Sequence, residues 1–176
     1  KRFWARSMVG WQNVASAVPN NAHISLAKLE GISKVNSIIT QNVDRLHHRA
    51  GSKHIIELHG RVDQVRCQSC KAVVQRTDWQ KRLISANEHF LEELNETQKQ
   101  MRSRMTSRAI NSNIRADGDA ELGLDDYSAM CVPGCEHCGG IIKLDVVMFG
   151  DNVSPPVVAA ATEQVASADA LLVIGT

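Results

Sequence analysis

The chain has 176 residues, enough for one domain or a domain with a small module, and its 43% hydrophobic and 22% charged content is ordinary for a globular protein. A formal net charge of +1 gives no field able to gather phosphate backbones, which argues against direct nucleic-acid binding. No apolar run approaches the roughly 20 residues that span a bilayer, and nothing around Lys1 reads as a signal or transit peptide.

Residues 1–20 carry Phe3, Trp4, Met8, Val9 and Trp11 and predict one or two helical turns ending near Pro19. Trp4 and Trp11 are expected in a mobile lobe over a ligand or in an ordinary core. Asn21 is placed to cap a helix over 22–33, with Ala22, Leu26 and Leu29 on one face. Val35–Ile39 reads as a short buried strand, Asp44–Ala50 as a short helix stopped by Gly51, and His54–Leu58 as a second strand. Val62–Cys67 and Ala72–Gln75 predict strands around a cysteine turn. From Asp78 to about Ile110 charged residues and good helix formers dominate, which predicts one or two amphipathic helices. A polar stretch with turn chemistry at Asp117-Gly118-Asp119 comes next. Ile141–Phe149 predicts a strand, Ser154-Pro155-Pro156 a helix start, and Ala170–Ile174 a last strand. The order strand, loop, helix, strand at both ends is that of a doubly wound α/β fold. The chain stops at a strand end, where domains rarely finish, so a fragment is expected.

Five cysteines stand at 67, 70, 131, 135 and 138. An odd number in C-x-x-C pairs points to metal ligands in a reducing compartment and away from an extracellular disulfide framework. Two residues between sulfurs let one tight turn present both thiolates to one ion. Cys67 with Cys70 and Cys135 with Cys138 would complete a tetrahedron around zinc. With all four ligands from protein, the site would be closed and structural. Gly139-Gly140 lets the backbone bend close to the metal, and the helical insert accounts for the 64 residues between the pairs. The alternative is a set of buried or redox cysteines. Cys131 is a spare thiol or an alternative ligand, and His137 sits between two ligands.

Polar or glycine residues directly follow apolar strands at Thr40-Gln41-Asn42-Val43-Asp44, His59-Gly60, Phe149-Gly150-Asp151 and Gly175-Thr176. In open α/β sheets ligands bind beyond the carboxyl ends of the strands. His59 would face that crevice, where an imidazole can exchange a proton near neutral pH. Each feature alone has a plain structural alternative, a packing histidine or a helix-capping turn.

Together with the cysteine pairs, these residues resemble the sirtuin family. The resemblance is carried by Thr40-Gln41-Asn42-Val43-Asp44-Arg45-Leu46-His47, Ala50-Gly51, Glu57-Leu58-His59-Gly60, both cysteine pairs, the run Lys143–Asp151 and Gly175-Thr176, in family order. Phe3-Trp4-Ala5-Arg6, Val9-Gly10-Trp11 and Asp117-Gly118-Asp119 look like the class II branch. Three departures stand out. The glycine-rich first strand-turn-helix and everything after Thr176 are absent, Leu144 stands where the family usually has proline, and the helical insert is diverged.

The resemblance implies a Rossmann-like doubly wound parallel sheet, incomplete at both ends, formed by residues 1–61 and 141–176, with a zinc module and helical insert over 62–140. It implies an NAD-dependent protein lysine deacylase. NAD is consumed: the acyl-lysine oxygen attacks the ribose carbon that carries nicotinamide, and O-acyl-ADP-ribose and lysine are released. His59 would be the general base. Gln41, Asn42, Val43, Asp44, Gly175 and Thr176 would contact NAD, and Asp44 would hold the nicotinamide carboxamide. Val147, Phe149, Gly150 and Asp151 would bind the acyl-lysine protein or peptide as an added strand. The zinc ligands would be Cys67, Cys70, Cys135 and Cys138. Alternatives are mono-ADP-ribosyl transfer at the same site and a non-catalytic zinc-binding interaction module. The branch suggests the mitochondrial matrix, against nucleus or cytoplasm.

Overall fold

The structure, a computed structural model, describes residues 1–104 and 119–175, with side chains described for 1–96 and 119–175. Among the described residues the elements are α1 (Arg2–Ser16), α2 (Asn21–Gly31), β1 (Ile38–Thr40), α3 (Leu46–Arg49), β2 (Ile55–Glu57), β3 (Gly60–Cys67), β4 (Val73–Gln75), α4 (Arg76–Ser85), α5 (Glu88–Arg104), β5 (Ile142–Val146) and α6 (Pro155–Ala166). By packing they form two compact units, Lys1–Ala17 with Asp63–Lys143 and Val18–Val62 with Leu144–Thr176. Residues 1–17 thus group with the cysteine-bearing unit, whereas the sequence places them with residues 18–61.

The reason for that grouping is the apolar face of α1. Trp4, Met8, Trp11 and Val14 recur at spacings of three and four, so they share one side of the helix and are buried. This gives a helix of 15 residues where one or two turns were expected. Trp4 packs edge-on against Trp79 of α4, with ring centroids 5.3 Å apart. Arg76, fully buried, lies over Trp4 at 5.5 Å and Trp11 at 4.8 Å. Its guanidinium donates to the Ser7 carbonyl at 3.2 Å and to Gln80 at 2.7 Å. Gln80 in turn donates to the Met8 carbonyl at 2.8 Å. Burial lowers the Arg76 pKa to about 10, so the side chain stays charged at neutral pH. Each desolvated cation–π contact contributes on the order of 1–2 kcal/mol. Trp4 and Trp11 are therefore core residues of this unit. The helices expected after Asp78 are α4 and α5. The Asp117-Gly118 part of the expected turn lies outside the described residues.

In the other unit β1 and β2 pair in parallel, with Ile38 opposite Ile55, Ile39 opposite Ile56 and Thr40 opposite Glu57. Helix α6 packs on β2 and α2 on α3. The cap of α2 is Asn20, one residue earlier than expected. Its side chain accepts from the amides of Ala22 and His23, and the His23 ring accepts from the Asn20 amide. Near the C-terminus of α2, Glu30 accepts from the Lys53 amide at 3.0 Å, the His54 amide at 2.7 Å and the His54 ring at 2.9 Å. One carboxylate thus positions the entry to β2.

A three-stranded sheet has the order β4–β3–β5. β3 and β4 are antiparallel, with Val65 opposite Val74. The bonds Gln68 N–Ile141 O and Val147 N–His59 O run β5 antiparallel to β3. β5 ends at Val146, short of the expected Phe149, because Met148–Asp151 forms a turn with Gly150 at φ +91°. The expected strand at Ala170–Ile174 is not one. Leu171–Ile174 is exposed and pairs with no strand among the described residues, and an extended segment without ladder bonds is a loop.

The Glu30 carboxylate has a pKa below the ordinary 4.5. Burial opposes this, but the amides of His54 and Lys53 and the His54 ring outweigh it. Its contribution to stability is complete above pH 4.5 and is lost as pH falls through the lowered value. Glu30→Gln is expected to cost about 1–2 kcal/mol at pH 7 and progressively less below about pH 4. Urea unfolding at about pH 7 and about pH 3 checks this.

Candidate functional site

The four paired cysteines converge. The sulfurs of Cys67, Cys70, Cys135 and Cys138 all lie within 4.8 Å of one another. Cys67 and Cys138 are 3.6 Å apart, and Cys70 and Cys135 are 3.7 Å apart. Four thiolates at metal–sulfur distances of about 2.3 Å stand about 3.8 Å apart along each tetrahedral edge, so this donor set fits a closed, four-coordinate metal ion. The turns are built for it. The Lys71 amide donates to the Cys67 carbonyl, and the Gly139 amide donates to that of Cys135. Gly140 passes so close that a Cβ there would stand 2.9 Å from the Cys67 sulfur. The amide of Cys70, then that of Ser69 and the neighbouring sulfurs, lower the Cys67 thiol pKa to about 6. Cys70, although the Ala72 amide favours its thiolate, is pushed up to about 12 by the sulfur of Cys138, by burial, and by Cys67 and Cys135.

Cys131 is exposed and stands outside this cluster. Its backbone is fixed instead. The Cys131 amide donates to the Asn87 side chain and the Asn87 amide group donates to the Cys131 carbonyl, each at 2.7 Å.

The second constellation lies wholly in the unit that holds the parallel strands. Beyond β1 the chain runs through Gln41, Asn42, Val43 and Asp44. This segment is tied to the chain around His59 at two points: Leu58 N donates to Thr40 O, and Val62 N donates to Val43 O, both at 2.9 Å. His59 therefore sits between two bonds that hold the 40–43 segment alongside it. On its other flank the His59 carbonyl accepts from Val147 N at 2.9 Å. Gly60 makes this approach possible. It has φ +76°, and a Cβ there would collide with the Asp145 carbonyl oxygen. Gln41 and Asn42 are exposed, with amide groups open to a polar ligand, and the Asn42 amide donates to Thr40 Oγ1 at 3.1 Å. Asp44 Oδ1 accepts from Leu46 N at 2.9 Å and so caps α3.

Val147 is thus brought to His59, whereas Phe149, Gly150 and Asp151 lie in the exposed turn beyond β5. Gly175, at φ +65°, is exposed, and Thr176 lies outside the described residues. His47 is a packing residue: its ring lies tilted against that of His23, with centroids 4.7 Å apart, and its pKa is lowered first by burial and then by the charge of His23. Sequence reasoning assigned nothing to Arg45, His48 or Glu57. Arg45 Nη1 donates to Glu57 Oε2 at 2.7 Å and lies 2.8 Å from His48 Nε2. The available signal was a charged residue, Glu57, at the end of an apolar strand.

Comparison with known proteins decides the family. The profile described as Sir2 family matches residues 1–176. The chain belongs to the Sir2 family. It is 43% identical over its full length to an NAD-dependent protein deacetylase of Bradyrhizobium diazoefficiens, covering 58% of that protein. It is 40% identical to an NAD-dependent protein deacylase of Monosiga brevicollis, covering 53%. It thus spans a little over half the length of these curated relatives. Among solved structures, a Sir2 complex with p53 peptide and NAD+ superposes with a TM-score of 0.59 at 29% identity, over 88% of this chain and 46% of that one. A Sir2 homologue bound to NAD superposes with a TM-score of 0.54 at 27% identity, over 93% of this chain and 44% of that one.

Within this Sir2 family chain, the left-handed backbone at Gly60 and its closeness to Asp145 separate two costs. Gly51 has φ +103° with nothing within 4 Å of a Cβ, so Gly51→Ala should cost only backbone strain, about 1–2 kcal/mol. Gly60→Ala adds a backbone collision and should cost clearly more, on the order of 3 kcal/mol. Parallel thermal melts measure the difference.

Proposed function

We propose that the protein is an NAD-dependent protein lysine deacylase with His59 as its general base. The observation that carries this is the pair of backbone bonds that hold the Gln41–Asp44 segment beside His59 in a chain of the Sir2 family. The activities of the relatives, protein deacetylase and deacylase, support the same reaction class here. The acyl group of a substrate lysine would pass to the ADP-ribose part of NAD, with nicotinamide released.

The residues have these roles in the proposal. Asp44 holds the nicotinamide carboxamide with the carboxylate oxygen that α3 leaves free, and Gln41, Asn42 and Val43 position the ribose and nearby water. Holding the reacting carbon in one orientation converts binding into rate. His59 takes the proton from a ribose hydroxyl. Val147, at the end of β5, with Phe149, Gly150 and Asp151, receives the extended substrate backbone. Gly175 and Thr176 reach the dinucleotide. Cys67, Cys70, Cys135 and Cys138 hold a structural zinc ion, which when bound cross-links two distant turns and takes no part in proton transfer. The class II resemblance supports a mitochondrial location.

His59→Ala in the full-length protein is expected to lower deacylation at least about a hundredfold with an unchanged far-UV circular dichroism spectrum. Acyl-peptide turnover with nicotinamide release is the measurement, and near-full activity would sink the assignment. Cys135→Ser is expected to lose stoichiometric zinc in a chelator-dye assay. Full zinc content in that variant would remove Cys135 from the ligand set.

A further inference from the structure

Arg45 has φ 66° and ψ 13°, the left-handed region that a residue with a Cβ enters only at a cost. It stands where the Gln41–Asp44 segment ends and α3 begins. Its backbone direction decides where Asp44 points, because Asp44 is its immediate neighbour and is bonded across it to Leu46 N. Neither glycine nor asparagine, the residues that take this conformation most readily, is used here. A charged side chain is used, and it is engaged. Arg45 Nη1 lies 2.7 Å from Glu57 Oε2, with only 19% and 17% of the two side chains exposed. His48 adds to the same cluster, its Nε2 2.8 Å from Arg45 Nη1 and its Nδ1 3.7 Å from Glu57 Oε1. Glu57 is the last residue of β2, opposite Thr40 at the last rung of the parallel pair. Thr40 is also the residue whose hydroxyl accepts from the Asn42 amide.

We propose that Arg45 and Glu57 are positioning residues, whose ion pair locks the left-handed turn onto the end of β2 and thereby sets the Gln41–Asp44 segment for the nicotinamide half of NAD. The proposal rests on the deacylase reading above. Two backbone bonds also tie the segment, Leu58 N to Thr40 O and Val62 N to Val43 O. The ion pair adds a side-chain tie from the strand leading to His59. Because both partners are mostly withdrawn from water, salt screens the pair little. It fixes a direction as well as adding stability.

The test uses the full-length protein with Arg45→Ala, Glu57→Gln, the conservative Arg45→Lys, and Arg45→Gly, which relieves the backbone while removing the tie. Residue-resolved amide exchange is expected to rise about tenfold or more at Leu46 and Val62 in Arg45→Ala and Glu57→Gln, and to change less than about twofold at Leu58. The KM for NAD should rise about tenfold while that for the acyl peptide stays within about twofold. Arg45→Lys should recover most of both effects, and Arg45→Gly should keep the raised KM. Uniform exchange across the three amides, no change, or both KM values rising together would overturn the proposal. If the wild-type protein consumes no NAD with acyl peptide, the deacylase reading falls. The exchange ratio among Leu46, Val62 and Leu58 then still decides whether the ion pair holds the segment.

Discussion

Two backbone hydrogen bonds, Leu58 N to Thr40 O and Val62 N to Val43 O, bracket His59 and fix what stands beside it. Buried or half-buried amides must find partners, because leaving one unpaired costs about as much as a typical point mutation. The chain meets that need by laying a polar segment from the end of β1 against the chain that continues from β2. The backbone carrying Gln41, Asn42 and Asp44 is thereby laid alongside the backbone of His59, and Gln41 and Asn42 are exposed. Gly60 is the local condition for this arrangement, because any Cβ there would displace the backbone of Asp145.

The cysteine-bearing unit solves a different problem. It holds most of the buried apolar side chains among the described residues, beside a clustered donor set. Trp4 and Trp11 flank the Arg76 guanidinium, Trp79 packs on Trp4, and four sulfurs stand at the spacing that a tetrahedral ion requires. A buried arginine is costly to desolvate. Here aromatic faces and the Ser7 and Gln80 oxygens compensate for the lost water. The opposite pKa shifts of Cys67 and Cys70 express the crowding of neighbouring sulfurs.

Much of this was legible in the residues. The C-x-x-C spacing signalled a shared metal because each turn presents two sulfurs to one point, and the four sulfurs do converge. The polar run after β1 and His59 after β2 were picked out by their place at strand ends, and the structure lays their backbones side by side. The helical insert was visible in its composition, as α4 and α5. Three features were misjudged for one reason, that they depend on partners distant in the sequence. Helix α1 is much longer than expected because its tryptophans meet Trp79 and Arg76. Ala170–Ile174 has strand composition but no ladder among the described residues. Glu57, given no role of its own inside the expected strand His54–Leu58, ends β2 and is half of an ion pair with Arg45.

The sequence by itself determined the chemistry available: four thiols in two turns, an imidazole after an apolar strand, and a polar segment with amides and a carboxylate. Local spacing and residue type suffice for that, since each depends on neighbours within a few positions. Only the tertiary structure decided which groups meet. It joined Cys67 to Cys138, Val43 to Val62, His59 to Val147 and Arg45 to Glu57. Such contacts arise from the closing of long loops and the packing of whole faces, and no short stretch of chain encodes them.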